Sequence, residues 1–305
     1  MDLLRNGIES IKNRNGALHM MILPAVVLLI IFNYIPLFGL VIAFQKYNLF
    51  RGVLHSEWIG LDNFRFILEF PDIYQVIWNT FYIAIMKIIA GLIVPIIFAL
   101  LLNEVKNAFF KRSIQTVVYF PHFLSWVLLG GILIDILSPS SGLVNQFLSV
   151  FGIKPVFFLG DDTVFPYVLV ATDTWKDFGF GTIIYLAALT NIDQTQYEAA
   201  VIDGAGRWKQ TLYVTLPGMM PVIILMMTLS LGNVLNAGFD QIFNLYSPIV
   251  YKTGDIIDTL VYRTGLIDRQ YGPAAAIGFF KSIISFVLIV ASYKLADKYA
   301  NYRIF

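Results

Sequence analysis

The sequence has little charge and no cysteine. Only 13% of its 305 residues are charged and 58% are hydrophobic, which gives a mean hydropathy of +0.72. Soluble globular domains usually carry about 25% charged residues and about 45–50% apolar residues. The absence of cysteine excludes disulfides, thiolate metal ligands and cysteine nucleophiles. The scarcity of charge predicts an integral membrane protein.

The sequence also lacks the residue groupings that catalysis requires. Its three histidines, His19, His55 and His122, are isolated, so no pair has the spacing of metal ligands. No Ser, His and Asp grouping indicates hydrolysis, and no G-x-x-x-x-G-K-[ST] loop is present to bind the phosphates of ATP. The net charge of +1 gives no field that points to nucleic acid. We therefore expect no enzyme site, metal or cofactor in this chain.

Long apolar runs are abundant, and a membrane-spanning helix needs roughly 20 mostly apolar residues. Six stretches meet this criterion, and they predict an all-α integral membrane fold with six transmembrane helices. The stretches are residues 20–44, 76–102, 113–137, 164–189, 216–239 and 273–296. The fourth is the least hydrophobic of them.

Basic residues concentrate in the connections on one side of the predicted spans. They are Arg5, Lys12, Arg14, Lys106, Lys111, Arg112, Arg207, Lys209, Lys294, Lys298 and Arg303. Because cytoplasmic loops carry an excess of Lys and Arg, both termini and the loop 190–217 are predicted to be cytoplasmic. We expect an N-terminal cytoplasmic or interfacial segment at residues 1–17, followed by one transmembrane domain at residues 18–305.

The loop between the fourth and fifth predicted spans holds the most informative pattern. Residues 197–202 favour a short helix, and Gly204 and Gly206 can end it because glycine accepts the backbone angles of a helix end. A second helix resumes over 207–214, and Pro217 lies near the first turn of the next span, where its missing N–H costs little. Such an element can present a rigid surface to a soluble partner. It can equally be an ordinary connection between two helices.

This loop resembles the E-A-A loop of binding-protein-dependent ABC importer permeases, whose pattern is E-A-A, three residues, G, nine residues, I, one residue, L-P. The matching residues, including a D-G-A form common in sugar permeases, are Glu198, Ala199, Ala200, Asp203, Gly204, Ala205, Leu216 and Pro217. Val214 stands where the family has Ile, and it keeps a β-branched apolar side chain. Residues 58–64, 79–80, 119–126 and 187–189 are similar to the polysaccharide-type, or LplB-like, group of these permeases.

The resemblance implies a type I importer permease fold in a bacterial plasma membrane, and import of a carbohydrate, with an oligosaccharide as the expected substrate. It implies a second related permease subunit, usually forming a heterodimer, and an extracellular solute-binding protein that delivers the sugar. It also implies two partner subunits that bind ATP and Mg. The matched loop residues would then couple ATP hydrolysis in those partners to the spans.

Ionisable residues inside the predicted spans form a second candidate site. Each costs roughly 2.5–3.5 kcal/mol at a helix centre, so it normally faces protein or water. The residues concerned are Lys87, Asp173, Lys176, Asp177 and Lys281. Asp173 and Asp177 share one helical face near Trp175, and carboxylates and indole rings are suited to binding sugars. Internal Asp–Lys pairs that hold helices together are an equally open interpretation.

Asn233 and Asn236 lie at the end of the fifth predicted span. In related sugar permeases this span contributes to the substrate path, so the resemblance implies that both amides contact the sugar; a cap at the end of the helix is the alternative. The predicted substrate path is Asp173, Trp175, Lys176, Asp177, Asn233, Asn236 and Lys281.

Two other classes of function remain open from the sequence. An ion-coupled secondary transporter would account for intramembrane Asp and Lys, and six spans can form half of an inverted repeat. It leaves the E-A-A pattern unexplained. A membrane receptor or scaffold without transport is the third interpretation. The sequence leaves open the identity, length and charge of the sugar, the identity of the partner chains, and the choice between heterodimer and homodimer.

Overall fold

The structure is a computed structural model that describes residues 16 and 18–300, with only the backbone described at 295–300. The predicted interfacial segment 1–17 lies outside the described residues except for Gly16, and so does Arg303. The described part is mostly helical, in agreement with the predicted fold class. It divides into two compact units. One comprises the residues up to Glu69 with Thr264–Phe279, and the other comprises Phe70–Arg263 with the residues from Phe280 onward.

The first unit begins with helix α1, Leu18–Phe44. Its second half is π-helical over Ile30–Tyr34 and 3₁₀-helical over Ile35–Phe44. Pro36 lies at this change, and its missing N–H cannot join an α-helical ladder. The short elements that follow are β1 (Gln45–Lys46), α2 (Gly52–His55), β2 (Glu57–Trp58) and α3 (Asp62–Glu69). The two strands pair antiparallel, with Gln45 opposite Trp58 and Lys46 opposite Glu57.

Three half-buried phenylalanine rings pack together in the first unit. Phe44, Phe64 and Phe279 have centroids 5.3 to 6.0 Å apart, at the distances typical of stabilising aromatic pairs. Asn63 is buried beside them, and its amide donates to the carbonyls of Ala43 (2.9 Å) and Gln45 (3.0 Å). These contacts fix α3 against the end of α1 and the strand that follows it.

The second unit is a bundle of helices of unequal length. Its elements are α4 (Ile73–Asn103), α5 (Ala108–Tyr119), a 3₁₀ turn (Phe120–Phe123), α6 (Trp126–Ile136), α7 (Leu143–Val150), α8 (Phe165–Thr190), α9 (Gln194–Ile202), α10 (Arg207–Gln210), a π-helical turn (Thr211–Thr215), α11 (Leu216–Gly232), α12 (Phe239–Leu245), α13 (Tyr251–Gly254) and α14 (Ile257–Tyr262). The last helix, α15 (Tyr271–Ala300), contributes to both units.

Helices α4 and α8 lie side by side at the centre of the second unit. Ile83 of α4 and the α8 residues Phe165 and Leu169 are fully buried in its core. On another side of α8, Gly179 faces the backbone of α5, where a β-carbon would lie 2.3 Å from the carbonyl oxygen of Val118. Large residues of α8 therefore fill the core that it shares with α4, and Gly179 allows α8 to approach α5 closely.

Four single helices among the described residues are long and apolar enough to cross a membrane. They are Leu18–Phe44, Ile73–Asn103, Arg207–Gly232 and Tyr271–Lys294. The third predicted span is broken into Ala108–Phe123 and Trp126–Ile136, which are bent by 105° and bring the candidates to five. Leu124 is extended at the break, and Ser125 caps α6 by accepting the N–H of Leu128.

The predicted count of six spans is not confirmed by length and composition. Helix α8 has the bounds expected of the fourth span to within one residue, but its three charged residues, Asp173, Lys176 and Asp177, keep it from meeting this criterion. The fifth span was predicted to reach residue 239, and this was wrong, because the helix ends at Gly232. Pro217 lies in the first turn of α11, as expected, and α10 runs into α11 through the π-helical turn as one helix.

Candidate functional site

The loop 190–217 folds as two helices joined by a tight turn, which we call the bent element (residues 194–210). Helix α9 begins after Asp193, whose carboxylate accepts the backbone N–H of Thr195 at 2.9 Å. This hydrogen bond satisfies a backbone donor that the first turn leaves free, and it lowers the pKa of Asp193 below its ordinary value. The carboxylate is therefore ionised at neutral pH and caps α9 there.

Helix α9 ends in a turn that requires glycine. Gly204 has φ +77°, a left-handed conformation that L side chains rarely adopt. The N–H of Ala205 donates to the carbonyl of Ala200 at 2.8 Å, and that of Gly204 donates to Val201 at 3.0 Å. These two bonds are the Schellman arrangement that closes many helix C-termini. Gly206 has an ordinary φ of −68°. Of these two positions, therefore, only 204 has a backbone conformation that requires glycine.

Side-chain contacts hold the bent element to its neighbours. The hydroxyl of Tyr197 lies 3.0 Å from Oγ1 of Thr215 in the π-helical turn. Arg207 forms a 3.1 Å ion pair with Glu104 at the end of α4. Both groups of this pair are largely exposed, so its energy is about 0–1 kcal/mol. The bent element is thus fixed against α11 and placed beside the end of α4.

The outer surface of the bent element is apolar at several positions. Ile202 is 85% exposed, Trp208 is 78% exposed, and Val201 is also exposed. Of the predicted coupling residues, Glu198, Ala199, Asp203, Gly204 and Pro217 are exposed, whereas Ala200, Ala205 and Leu216 are half-buried. An exposed apolar surface on a rigid element is the property expected of a protein contact.

The second candidate site is a buried ion pair between the two central helices. Lys87 of α4 is buried, and its Nζ lies 3.0 Å from Oδ1 of Asp173 on α8. The same ammonium group donates to the carbonyl of Ala237 at 2.8 Å and to Oε1 of Gln241. Lys87 therefore connects α4, α8 and the segment between α11 and α12.

Gln241 and Gly238 complete this connection. The amide of Gln241 donates to the carbonyl of Leu169 (2.8 Å) and to Oγ1 of Thr172 (2.7 Å), both on α8. Gly238 has φ +92°, and a β-carbon there would lie 2.7 Å from Nζ of Lys87. The predicted fifth span, 216–239, runs through Gly238, and this role of the glycine was not predicted. The Asn-Ala-Gly sequence at 236–238 is a turn signal that argues against that extension.

Two cavities adjoin the segment that follows α11. The first has a volume of about 280 Å³, and its lining includes Lys87, Gly91, Asp173, Ser230, Asn233 and Asn236. The second has a volume of about 380 Å³, and its lining includes Asn233, Asn236, Asp258, Lys281, Ser285 and Ile289. Asn233 and Asn236 line both. Four of the predicted substrate-path residues, Asp173, Asn233, Asn236 and Lys281, are therefore brought to two neighbouring cavities.

Lys281 is paired with a carboxylate, as the alternative interpretation of the intramembrane charges expects. Its Nζ contacts Oδ1 of Asp258 on α14, and both side chains are mostly buried. Asp258 was not predicted as a partner, because it lies outside the six predicted spans. Lys87 is paired with Asp173, and Lys281 is paired with Asp258. These four charged groups therefore add no net charge to the lining of the cavities.

The remaining predicted path residues, Trp175, Lys176 and Asp177, do not line these two cavities. Lys176 is buried, and its Nζ donates to the carbonyl of His122 at 2.8 Å. Asp177 lies 2.8 Å from Nδ1 of His122, whose ring stacks on Phe180 at 4.1 Å. These residues join α8 to the break before α6. Half-exposed Trp175 and Asp177 keep a surface available for other contacts.

Comparison with known proteins gives a consistent set of matches. A family described as "Binding-protein-dependent transport system inner membrane component" matches residues 91–300. Two curated relatives come from Bacillus subtilis (strain 168). Protein LplB is 36% identical over 292 residues, which cover 96% of this chain and 92% of LplB. The polygalacturonan/rhamnogalacturonan transport system permease protein YteP is 37% identical over 288 residues, covering 94% and 90%.

A solved structure matches the fold over nearly the whole chain. It is a crystal structure of a bacterial ABC transporter involved in the import of the acidic polysaccharide alginate, with a TM-score of 0.87 and 34% identity. The match covers 96% of this chain and 99% of that chain. A second crystal structure of a bacterial alginate ABC transporter, in complex with an alginate pentasaccharide-bound periplasmic protein, matches with a TM-score of 0.85 and 35% identity.

Proposed function

The chain belongs to the family of binding-protein-dependent transport system inner membrane components, and from this we propose how it works as a permease of an oligosaccharide importer. In the proposed complex, a second related permease subunit forms the path together with this chain. Two ATP-binding subunits, which bind ATP and Mg, dock on the cytoplasmic side. An extracellular solute-binding protein delivers the sugar. Both termini of the chain are cytoplasmic, in a bacterial plasma membrane.

The bent element carries this proposal. It offers exposed Ile202 and Trp208 to a soluble partner on a backbone fixed by Gly204 and by the cap at Asp193. Closure of the ATP-binding subunits would move this element as one body. Because α10 is continuous with α11, the movement would pass directly into a membrane-spanning helix. The substrate path would then open or close at the other end of α11, where Asn233 and Asn236 lie.

The polar cavities suit a sugar that is bound by hydrogen bonds. The amides of Asn233 and Asn236 are exposed there, and each amide offers both donors and acceptors to hydroxyl groups. Small-molecule sites usually measure about 300–1,000 Å³, so each cavity is suited to part of an oligosaccharide rather than the whole. YteP and the structural relatives are named for polysaccharides, which supports this substrate class.

Uptake into proteoliposomes tests the proposal. The complete complex is reconstituted, and labelled oligosaccharides from digested polygalacturonan or alginate are supplied on their solute-binding protein. We expect uptake to require hydrolysable ATP enclosed in the vesicle, at the cytoplasmic face of the complex. Uptake should persist when ionophores remove all ion gradients. Uptake that continues without ATP and stops with ionophores would instead support the ion-coupled secondary transporter and refute the proposed mechanism.

A further inference from the structure

Helix α7 exposes its apolar face. Leu143, Phe147 and Val150 are 65%, 65% and 79% exposed, and Phe151, which follows the helix, is 66% exposed. Their spacing places them on one side of α7, because residues three or four apart are neighbours on a helix surface. Asn145, on the opposite side, is buried. This arrangement is the reverse of that expected for a helix in water, which buries its apolar stripe.

The outward direction of this face is fixed by Asn145. Its amide donates to the carbonyls of Ser138 and Val156, both at 3.0 Å, and its oxygen accepts the N–H of Val156 at 2.9 Å. These bonds satisfy most of the hydrogen-bonding capacity of the side chain. At the start of the helix, Gly142 lies so close to Ile136 that a β-carbon would be 2.4 Å from its carbonyl oxygen. Helix α7 therefore cannot turn its apolar face inward without losing these contacts.

Helix α7 lies at the end of the bundle away from the bent element. Helix α8, with 26 residues, is about 39 Å long and leads at Thr190 into the bent element. Its first residue, Phe165, is therefore at the opposite membrane surface. Residues 151–164 connect α7 to it, and Asn145 of α7 is hydrogen-bonded to Val156 within this connection. Exposed Tyr74 and Trp78 begin α4 at this same end, since Glu104 at the other end of α4 contacts the bent element. Tyr and Trp are enriched at the headgroup level of membranes.

The chemistry and size of the exposed face favour lipid over protein. No charged residue occurs between Asp135 and Lys154, so nothing on this segment complements a charged partner surface. Helix α7 has eight residues and is about 12 Å long, which is short for an interface that must bury about 800 Å² on each partner. An apolar helix face with a polar opposite side is typical of segments that lie in the plane of the membrane interface.

We propose that α7 is an interfacial helix whose exposed face, Leu143, Phe147, Val150 and Phe151, inserts into the boundary between lipid headgroups and acyl chains. It holds the connection between α6 and α8 at a fixed depth on the outer side. The helix lies outside the bent element and outside the two polar cavities, so this role is independent of sugar recognition.

The absence of cysteine makes the proposal directly measurable. Single-cysteine variants Phe147→Cys and Ser149→Cys are spin-labelled in the complete complex, in nanodiscs, after any partner cysteines are replaced. Ser149 is a matched control because it is exposed on the same helix but lies off the apolar face. Collision with oxygen, which concentrates in lipid, is compared with collision with a water-soluble nickel chelate. We expect oxygen to dominate at position 147 and the nickel chelate to dominate at position 149.

Two outcomes would overturn the proposal. Equal access of the nickel chelate to positions 147 and 149 would place the face in water. An immobile label at position 147 that neither reagent reaches would mean that a protein, such as the second permease or the solute-binding protein, covers it. If Phe147→Cys does not fold, Val150→Cys gives the same measurement from the same face. None of these results decides whether the complex takes up sugar with ATP, so this test is separate from that of the proposed function.

Discussion

Nζ of Lys87 lies 3.0 Å from Oδ1 of Asp173, and this pair joins the two central helices beside the cavity that we assign to the substrate path. The Lys87 side chain is 9% exposed and that of Asp173 is 27% exposed. Asp173 is thus the member of the pair that can reach a ligand, whereas Lys87 is held by Ala237 and Gln241 as well. The pair can therefore have two roles that are tested separately: it holds α4 against α8, and Asp173 contacts the substrate.

A double-mutant cycle separates these roles. Lys87→Met leaves a carboxylate without its partner, so we expect the free energy of unfolding to fall by about 3 kcal/mol. Adding Asp173→Asn removes the isolated charge and should recover part of that loss. The apparent Tm of the purified complex measures stability, and uptake is measured in parallel. Recovery of Tm without recovery of uptake would assign Asp173 to the sugar; a double variant that is less stable than either single variant contradicts the pairing.

Gly238 is predicted to be required for the position of Lys87. Gly238→Ala introduces a β-carbon 2.7 Å from Nζ at a backbone φ of +92°, and a left-handed conformation costs a non-glycine residue about 1–2 kcal/mol. We expect lower stability and lower uptake. Gly91→Ala is the matched control, because Gly91 lines the same cavity, lies within α4 and has open space at the β-carbon position. Equal effects of the two substitutions would contradict this explanation.

Gly204→Ala should reduce coupling between ATP hydrolysis and uptake. The left-handed φ of +77° costs alanine about 1 kcal/mol, which lowers the equilibrium constant for forming the correctly bent element about fivefold. Gly206→Ala, two residues away and also with open space, should behave like the natural protein because its φ is −68°. The readout is ATP hydrolysis stimulated by the sugar-loaded solute-binding protein. A loss with Gly206→Ala equal to that with Gly204→Ala would contradict the role assigned to the turn.

The N-terminal cap of α9 gives a related test that does not change the turn. Asp193→Ala removes the acceptor for the N–H of Thr195, so α9 should fray and the ATP-binding subunits should be retained less well during purification. Asp193→Asn keeps an acceptor and is the control. Because hydrogen bonding lowers the pKa of Asp193 in the folded protein, its stabilising contribution is present above the unfolded pKa and is lost as the pH falls through the folded value. Retention that is equal in both variants at neutral pH would exclude the cap.

Asn236→Ala tests the substrate path. We expect the KM for uptake to rise severalfold while ATP hydrolysis without substrate is unchanged. The side chain lines both cavities, and it lies beyond the end of α11 that is remote from the bent element. Asn244→Ala is the control, since the Asn244 amide donates to the carbonyl of Asp240 within α12 and does not line these cavities. A change in basal ATP hydrolysis with no change in KM would argue for a structural role of Asn236 instead.

The features that could be predicted from the sequence are those decided locally. Hydropathy located α4 and α8 within a few residues, and the glycine at position 204 located the turn of the bent element, because a helix end depends on its own neighbours. The break at Leu124 was missed, since apolar residues lie on both sides and hydropathy averages across it. Two signals in the sequence could have indicated this break: Ser125, which can cap a helix, and Pro121.

The pairings of the charged residues could not be predicted. Lys281 and Asp258, or His122 and Asp177, are brought together by the packing of helices that are distant in sequence. One sequence shows that such charges must be satisfied, but not by which partner. Asp177 shares a helical face with Asp173, yet it pairs with His122, whereas Asp173 pairs with Lys87. The assignment of all these residues to one path therefore stays a prediction, and the cavities support it for part of the set.

A photo-crosslink from the bent element tests whether this chain docks on an ATP-binding subunit through that element. A benzophenone maleimide is attached at Ile202→Cys, a position that is 85% exposed. The control is Phe50→Cys, at a position that is 97% exposed and follows the first predicted span, on the side opposite the predicted cytoplasmic N-terminus. In the assembled complex, position 202 is predicted to crosslink to an ATP-binding subunit and position 50 is not. A crosslink to that subunit from position 50, or none from position 202 in a complex that still hydrolyses ATP, would contradict the account.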